Sequence, residues 1–151
     1  MKAITLYQPW ASLIAVGAKR IETRPWFTHY RGELAIHAGK TTPAWVWDLM
    51  SDKEFDAALT VAFPGVLERD LSGRISVGQF PTGVIVATCT LVDCVPVNLV
   101  PVLTNGERMF GDYSPGRFAW MLEDIKPLAE PIPATGKQGL WEWNAGVQDG
   151  E

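Results

Sequence analysis

The sequence predicts a mixed α+β domain built around a small, strongly bent sheet or barrel, and three observations carry that prediction. The local signals run strand, helix, strand, strand, helices and then long strands, an order that fits neither an all-β chain nor a strictly alternating parallel α/β fold. Two long segments, GVIVATCTLVDCV at 83–95 and RFAWMLEDIKPL at 117–128, have the apolar, β-branched and aromatic content of strands. The first is apolar on both faces, as a strand in a closed barrel or sheet core must be. A length of 151 residues, with no internal repeat or low-complexity tract, suits one compact domain over residues 1–151.

Residues 2–7, KAITLY, open the chain as a short strand. Pro9 suits the first position of a helix, and Trp10, Leu13, Ile14 and Gly17 follow at the spacing of one helical face. Gly17 ends that helix, because a left-handed terminal residue costs glycine little. Lys19 then falls in the outgoing turn, and Arg20 to Arg24 form a second strand closed by Pro25. A third strand, ELAIHA at 33–38, follows the turn at Gly32. TTPAWVWDLM reads as a helix with a threonine cap and Pro43 in its first turn, running on with an interruption near Ser51 to about Thr60. Residues 63–82 read as a connecting excursion with at most one short helical turn. Residues 99–116 read as loop, with Asn105-Gly106 and Pro115-Gly116 as turn signals. The ending PIPATGKQGLWEW reads as an extended tail whose tryptophans dock back on the body.

Composition narrows the function classes. Hydrophobic residues make up 47% of the chain and charged residues 20%, values of a soluble globular fold. No apolar run reaches the roughly 18 residues that span a bilayer, and the N-terminus lacks the core of a signal peptide, so no membrane partner is expected. Cys89 and Cys94 lie five apart in a strand-like segment, which turns their side chains to opposite faces and prevents pairing. Two unpaired thiols without an export signal predict a cytoplasmic protein. With His29 and His37 as its sole histidines and no ligand spacing, the chain is expected to hold no metal. The net charge of −4 argues against non-specific coating of nucleic acid, yet five cations face two carboxylates between residues 17 and 40.

That basic excess centres on GAKRIETRPW at 17–26. Strand alternation puts Arg20, Glu22 and Arg24 on one face, with Ile21 and Thr23 on the other. One reading is a solvated surface pair contributing below about 1 kcal/mol. The other is a site. Flanking arginines keep Glu22 ionised and fixed, Lys19 leaves the turn beside the same strand, and Arg24 can hold a phosphate in a bidentate fork. Glu22 can accept from an exocyclic amine or ribose hydroxyl, while Trp26 and Tyr30 can stack a base.

QPWASLIAVGAKRIETRPW, YRGELAIHA, GRFAWML and GKQGLWEW, in that order, resemble the ASCH family of the PUA-like superfamily. Gly17, Lys19, Glu22 and Arg24 match its G-x-K-x-x-E-x-R motif, and the likeness covers nearly the whole chain. The resemblance implies a PUA-like small β-barrel of mixed strands, five or six in all, with flanking helices and a cleft that holds the motif. It implies RNA or a nucleoside as ligand and no cofactor. Some relatives are amidohydrolases that deacetylate N4-acetylcytidine through a threonine nucleophile; the aligned position is Glu22, and alternation turns Thr23 away.

Three functions compete on these residues. In a binding module, Lys19 and Arg24 hold phosphate or base groups, Glu22 reads a donor edge and Trp26 or Tyr30 stacks. In a metal-independent hydrolase, an amidohydrolase or a ribonuclease on single-stranded RNA, Glu22 is general base and Lys19 stabilises the anionic transition state. A protein–protein adaptor ranks last. Gln8 supplies an amide contact if QPW lies at the cleft, and Lys137 sits between glycines that let backbone approach a ligand. His37 reads as a hydrogen-bonded core or rim residue. Tyr113, Ser114 and Glu123 are weaker candidates. Oligomeric state has no signal.

Overall fold

A computed structural model of the chain describes residues 1–145. Six strands form one mixed sheet: β1 (Lys2–Leu6), β2 (Ile21–Arg24), β3 (Gly32–Ala38), β4 (Val84–Pro96), β5 (Phe118–Pro133) and β6 (Trp141–Glu142). Their spatial order is β2-β5-β4-β3-β1-β6. β1 and β3 run parallel, and every other neighbouring pair is antiparallel. Four short helices complete the fold: α1 (Trp10–Ala15), α2 (Ala44–Leu49), α3 (Lys53–Ala62) and α4 (Asn105–Phe110). No helix among the described residues is long and apolar enough to cross a membrane.

The α+β expectation holds, with one difference in closure. One register shift interrupts the β3–β4 pairing and three interrupt β4–β5, irregularities of the kind that bend a sheet. The sheet does not close by strand pairing, because the order ends at β2 and β6. β6 has two residues and pairs with Lys2 and Ala3, so among the described residues no strand pairs with the Thr5–Leu6 end of β1 on that side. Arg24, the last residue of β2, reaches across instead and donates from Nη2 to the Thr5 carbonyl oxygen at 2.8 Å. A side chain thus spans the gap that a strand would fill in a complete barrel.

Two apolar clusters hold the frame. Ile4, Leu34, Ile36, Leu91, Trp120 and Leu122 pack with Ile14 beneath the sheet. Leu13, on the other flank of α1, joins Val46, Phe55, Leu59, Ile75, Phe80 and Phe110. α1 is therefore a wedge between sheet and helices. Its stop is as the sequence requires: Gly17 takes φ +79°, and the amides of Ala18 and Lys19 both reach back to the Leu13 carbonyl. The 63–82 excursion carries one 3₁₀ turn, Val77–Gln79, and contributes Ile75, Val77 and Phe80 to the second cluster. Trp141 and Trp143 are buried, so the tail docks as expected. Cys89 and Cys94 are both buried free thiols, and burial pushes the Cys89 thiol up to about 12.

Two local expectations are corrected. α2 has no side-chain cap; Pro43 itself stands at the boundary in extended geometry. The 99–116 segment is not all loop, since α4 occupies Asn105–Phe110. The overlooked signal is Thr104-Asn-Gly-Glu107, a capping-box pattern that outweighs the Asn-Gly turn signal. Thr104 Oγ1 accepts from the Glu107 amide at 3.1 Å, and the Glu107 carboxylate accepts from the Arg20 amide. Thr104→Ala should lower stability by about 1 kcal/mol, read as a shift of the urea midpoint at constant slope.

Candidate functional site

The turn after α1 and the short strand β2 position the motif residues at three depths. Lys19 is fully buried. Its Nζ donates to the carbonyl oxygens of Ile21 at 2.7 Å and Phe110 at 2.8 Å, and lies 3.4 Å from Glu22 Oε1. Glu22 is one layer up, its side chain 13% exposed. Oε1 also accepts from the Thr23 amide at 3.1 Å, and Oε2 accepts from Arg24 Nε at 3.1 Å with Nη2 at 3.0 Å. Arg24 is outermost. The strand alternates as the sequence predicts, with Ile21 and Thr23 buried opposite Glu22 and Arg24.

Glu22 is an ionised anchor. Burial alone would raise its pKa, but the charges of Lys19 and Arg24 and the hydrogen bonds they donate together hold it below the ordinary value. Each carboxylate oxygen accepts one hydrogen bond and has a cationic nitrogen within 3.4 Å. Arg24 is committed along one edge as well. Nε and Nη2 face Glu22, and Nη2 also faces Thr5. Among the described residues Nη1 has no acceptor. The Nε–Nη2 edge of the guanidinium is thus turned to the protein itself, and Nη1 is the nitrogen left without an acceptor.

Glu22 and Arg24 form part of the wall of an open cavity of about 1150 Å³. One wall is aromatic. Trp45 of α2 is 53% exposed, with Trp10 at 5.4 Å between ring centroids and Tyr7 edge-on at 6.1 Å. Trp26 lines the opposite side, its ring edge-on to buried Trp120 at 4.7 Å. Further lining comes from Thr5 and His37, from Lys40, from Asp112 and Arg117, and from the 134–139 segment, which includes Lys137.

Of the catalytic and ligand-binding candidates read in the sequence, Glu22, Arg24, Trp26 and Lys137 reach this cavity and Lys19, Gln8 and Tyr30 do not; of the secondary candidates His37 reaches it, and Tyr113, Ser114 and Glu123 do not. Lys19 lies beneath the wall, held by two carbonyls. Gln8 is buried and spends its amide on the fold: Nε2 donates to Ser12 Oγ and the Pro81 carbonyl, and Oε1 accepts from the Ser12 amide. It ties the first turn of α1 to the excursion. Tyr30 folds back on its own turn, its hydroxyl donating to the Glu33 carbonyl and lying over Gly32. Tyr113 is likewise not a cavity residue. Its hydroxyl is buried without a partner among the described residues, and burial followed by the negative charges of Glu107 and Glu22 pushes its pKa up. Trp45, Tyr7, Lys40, Asp112 and Arg117 are among the lining residues that sequence reasoning missed. The signal for Trp45 was a tryptophan repeated at i and i+2 on a short helix, where one ring alone can face the sheet. Among the described residues no group of His, Cys, Asp or Glu is placed to hold a metal.

His37 is the hydrogen-bonded rim residue that its strand position suggests. Nε2 lies 2.8 Å from the Ala134 carbonyl oxygen, which can only accept, so that nitrogen carries the proton and Nδ1 accepts from Thr5 Oγ1 at 3.1 Å. Burial lowers the His37 pKa, opposed by the hydrogen bond to Ala134. A histidine with a depressed pKa supports the fold above its ordinary value of 6.5 and costs stability as pH falls below it. Wild type should therefore lose stability between pH 7 and 5, and part of that loss should vanish in His37→Gln, measured by urea unfolding across that range.

An α+β domain of the PUA-like kind, with an open cavity where its barrel is incomplete, is the class that fold and site define. Matching the ASCH domain over residues 4–132, the chain belongs to the ASCH family. It is 25% identical to human (Homo sapiens) activating signal cointegrator 1 over 152 aligned positions, which cover 97% of this chain and 23% of that protein. The mouse (Mus musculus) protein of the same name is 26% identical with the same coverage. The chain thus spans about a quarter of the length of these relatives. The crystal structure of ASCH from Zymomonas mobilis superposes with a TM-score of 0.53 at 15% identity, over 95% of this chain and 87% of that one, a likeness of fold.

Proposed function

We propose that this ASCH domain binds RNA or a nucleoside in the cavity beside β2. The observation that carries the reading is the pairing of an exposed ring, Trp45, and a half-buried one, Trp26, with a pre-set polar donor in one recess. Trp45 and Trp26 offer flat surfaces on which any base can stack, and Nη1 of Arg24 is an oriented donor for a base carbonyl or phosphate oxygen. Glu22 and Lys19 act indirectly, by fixing the guanidinium. Unpaired buried thiols fit a cytoplasmic setting.

The hydrolase reading is weaker for a stated reason. A general base needs an unoccupied lone pair and a pKa near the working pH. Glu22 is held below its ordinary pKa with both oxygens already hydrogen-bonded and ion-paired, and Lys19 is fully buried against the carbonyls it serves.

Fluorescence anisotropy with labelled single-stranded RNA, and titration with cytidine, test the binding reading. RNA affinity should fall as salt rises, and Trp45→Ala should weaken it by about tenfold, a typical worth for one stacked base. Undetectable binding of both ligands at low salt would remove the reading.

A further inference from the structure

Four cations and two carboxylates line the cavity: Arg24, Lys40, Arg117 and Lys137 against Glu22 and Asp112. Arg24 pairs with Glu22 at 3.0 Å and Arg117 with Asp112 at 3.5 Å. Arg117 also donates through Nη2 to the Thr23 carbonyl and through Nε to the Asp112 carbonyl, so it is a strut of the loop before β5. Lys40 and Lys137 are exposed, and among the described residues neither has a carboxylate within pairing distance. With every other charge in the cavity paired, two positive charges are left uncompensated.

Those two lysines are brought to one end. Thr5 is the shared neighbour. Its carbonyl holds Arg24 Nη2 at 2.8 Å, its hydroxyl lies 3.4 Å from the Lys137 carbonyl, and its methyl would sit 3.1 Å from a Cβ on Gly39, the residue before Lys40. Gly136 presses the tail onto the same spot: a Cβ there would lie 2.6 Å from the His37 ring and 2.8 Å from Thr5 Oγ1. The Lys40 stem crosses Gly83, whose carbonyl accepts from the Ala134 amide at 3.0 Å. The backbone on either side of Thr5 thus carries the two lysines, with Nη1 of Arg24 beside them.

We propose that the Thr5 end of the cavity is a subsite for a phosphomonoester, the terminal phosphate of an RNA strand or mononucleotide, held by Lys40, Lys137 and Nη1 of Arg24. The proposal rests on the binding reading and names its ligand class. The argument is one of charge. A monoester has a second pKa of about 6 and carries close to two negative charges at neutral pH, whereas each internal diester of RNA carries one. A dianion at one point matches two unpaired lysines whose backbones flank Thr5 and which line the same cavity. Successive diesters along a strand spread the same charge over several ångströms and leave one lysine unmatched.

Calorimetry compares cytidine, cytidine 5′-monophosphate, cytidine 3′-monophosphate, a hydroxyl-ended tricytidine containing two diesters, and inorganic phosphate. At least one monophosphate should bind about tenfold or more tightly than both cytidine and the tricytidine, and the two isomers report which end of a strand enters. Lys40→Ala/Lys137→Ala should erase the difference between monophosphate and cytidine with the melting curve unchanged. Lys53→Ala, on the exposed side of α3, should keep it. Equal affinity of monophosphates and hydroxyl-ended tricytidine would overturn the subsite while leaving nucleoside binding in place. Phosphate binding that no base improves would keep the subsite and overturn the nucleoside reading. No binding by any of the five would overturn both.

Discussion

Lys19→Met should lower the unfolding free energy by about 3–5 kcal/mol, the cost of breaking a buried ion pair from one side. The amine is fully buried and has three acceptors, the carbonyls of Ile21 and Phe110 and the Glu22 carboxylate. Methionine fills the volume but donates nothing, so two buried carbonyls and half the support of a buried carboxylate are lost together. The Phe110 carbonyl stands at the C-terminal end of α4, so the loop joining α4 to β5 should also loosen. Urea unfolding measures the loss. Adding Glu22→Gln to Lys19→Met should recover part of it, because the stranded charge is then gone. A loss below about 1 kcal/mol, the worth of an exposed pair, would contradict the description of Lys19 as a structural cation.

Arg24→Ala should weaken ligand binding by about 100-fold, or roughly 2.8 kcal/mol. The substitution removes the oriented Nη1 and at the same time uncovers Glu22 Oε2, which then faces the cavity as an unmasked negative charge. Repulsion of an anionic ligand thus adds to the lost contact. Arg24→Ala/Glu22→Gln should accordingly bind better than Arg24→Ala alone. Arg24→Lys should rescue little, since one ammonium cannot serve Glu22, the Thr5 carbonyl and a ligand together. Titration of RNA and cytidine against the four proteins decides the matter. Affinity within about twofold of wild type for Arg24→Ala would reduce the residue to a latch between strands.

The parts of this fold that were legible in the sequence are those governed by neighbours along the chain. Period-two alternation placed Glu22 and Arg24 together, Gly17 ended α1, and the apolar runs located β4 and β5. What could not be read depends on partners far away. Lys19 looks like a solvated helix-end lysine until Phe110, 91 positions later, supplies its second carbonyl. Gln8 looked available, but the carbonyl of Pro81, 73 positions on, takes up its amide; Tyr30 differs, because its acceptor is the carbonyl of nearby Glu33. Trp45 and Trp47 are indistinguishable by type, and packing of α2 beside α1 decides which ring enters the cavity wall. Barrel closure turns on whether the two edge strands, β2 and β6, meet. No local pattern encodes that.

The gap in the sheet has a consequence for solubility. An unpaired β-edge is a template on which another chain's backbone can add, the usual start of self-association. At Thr5 that position is taken by a charged guanidinium rather than by a strand, so the vulnerable rim is plugged from within the molecule. The same plug would have to be dislodged before an invading strand could dock.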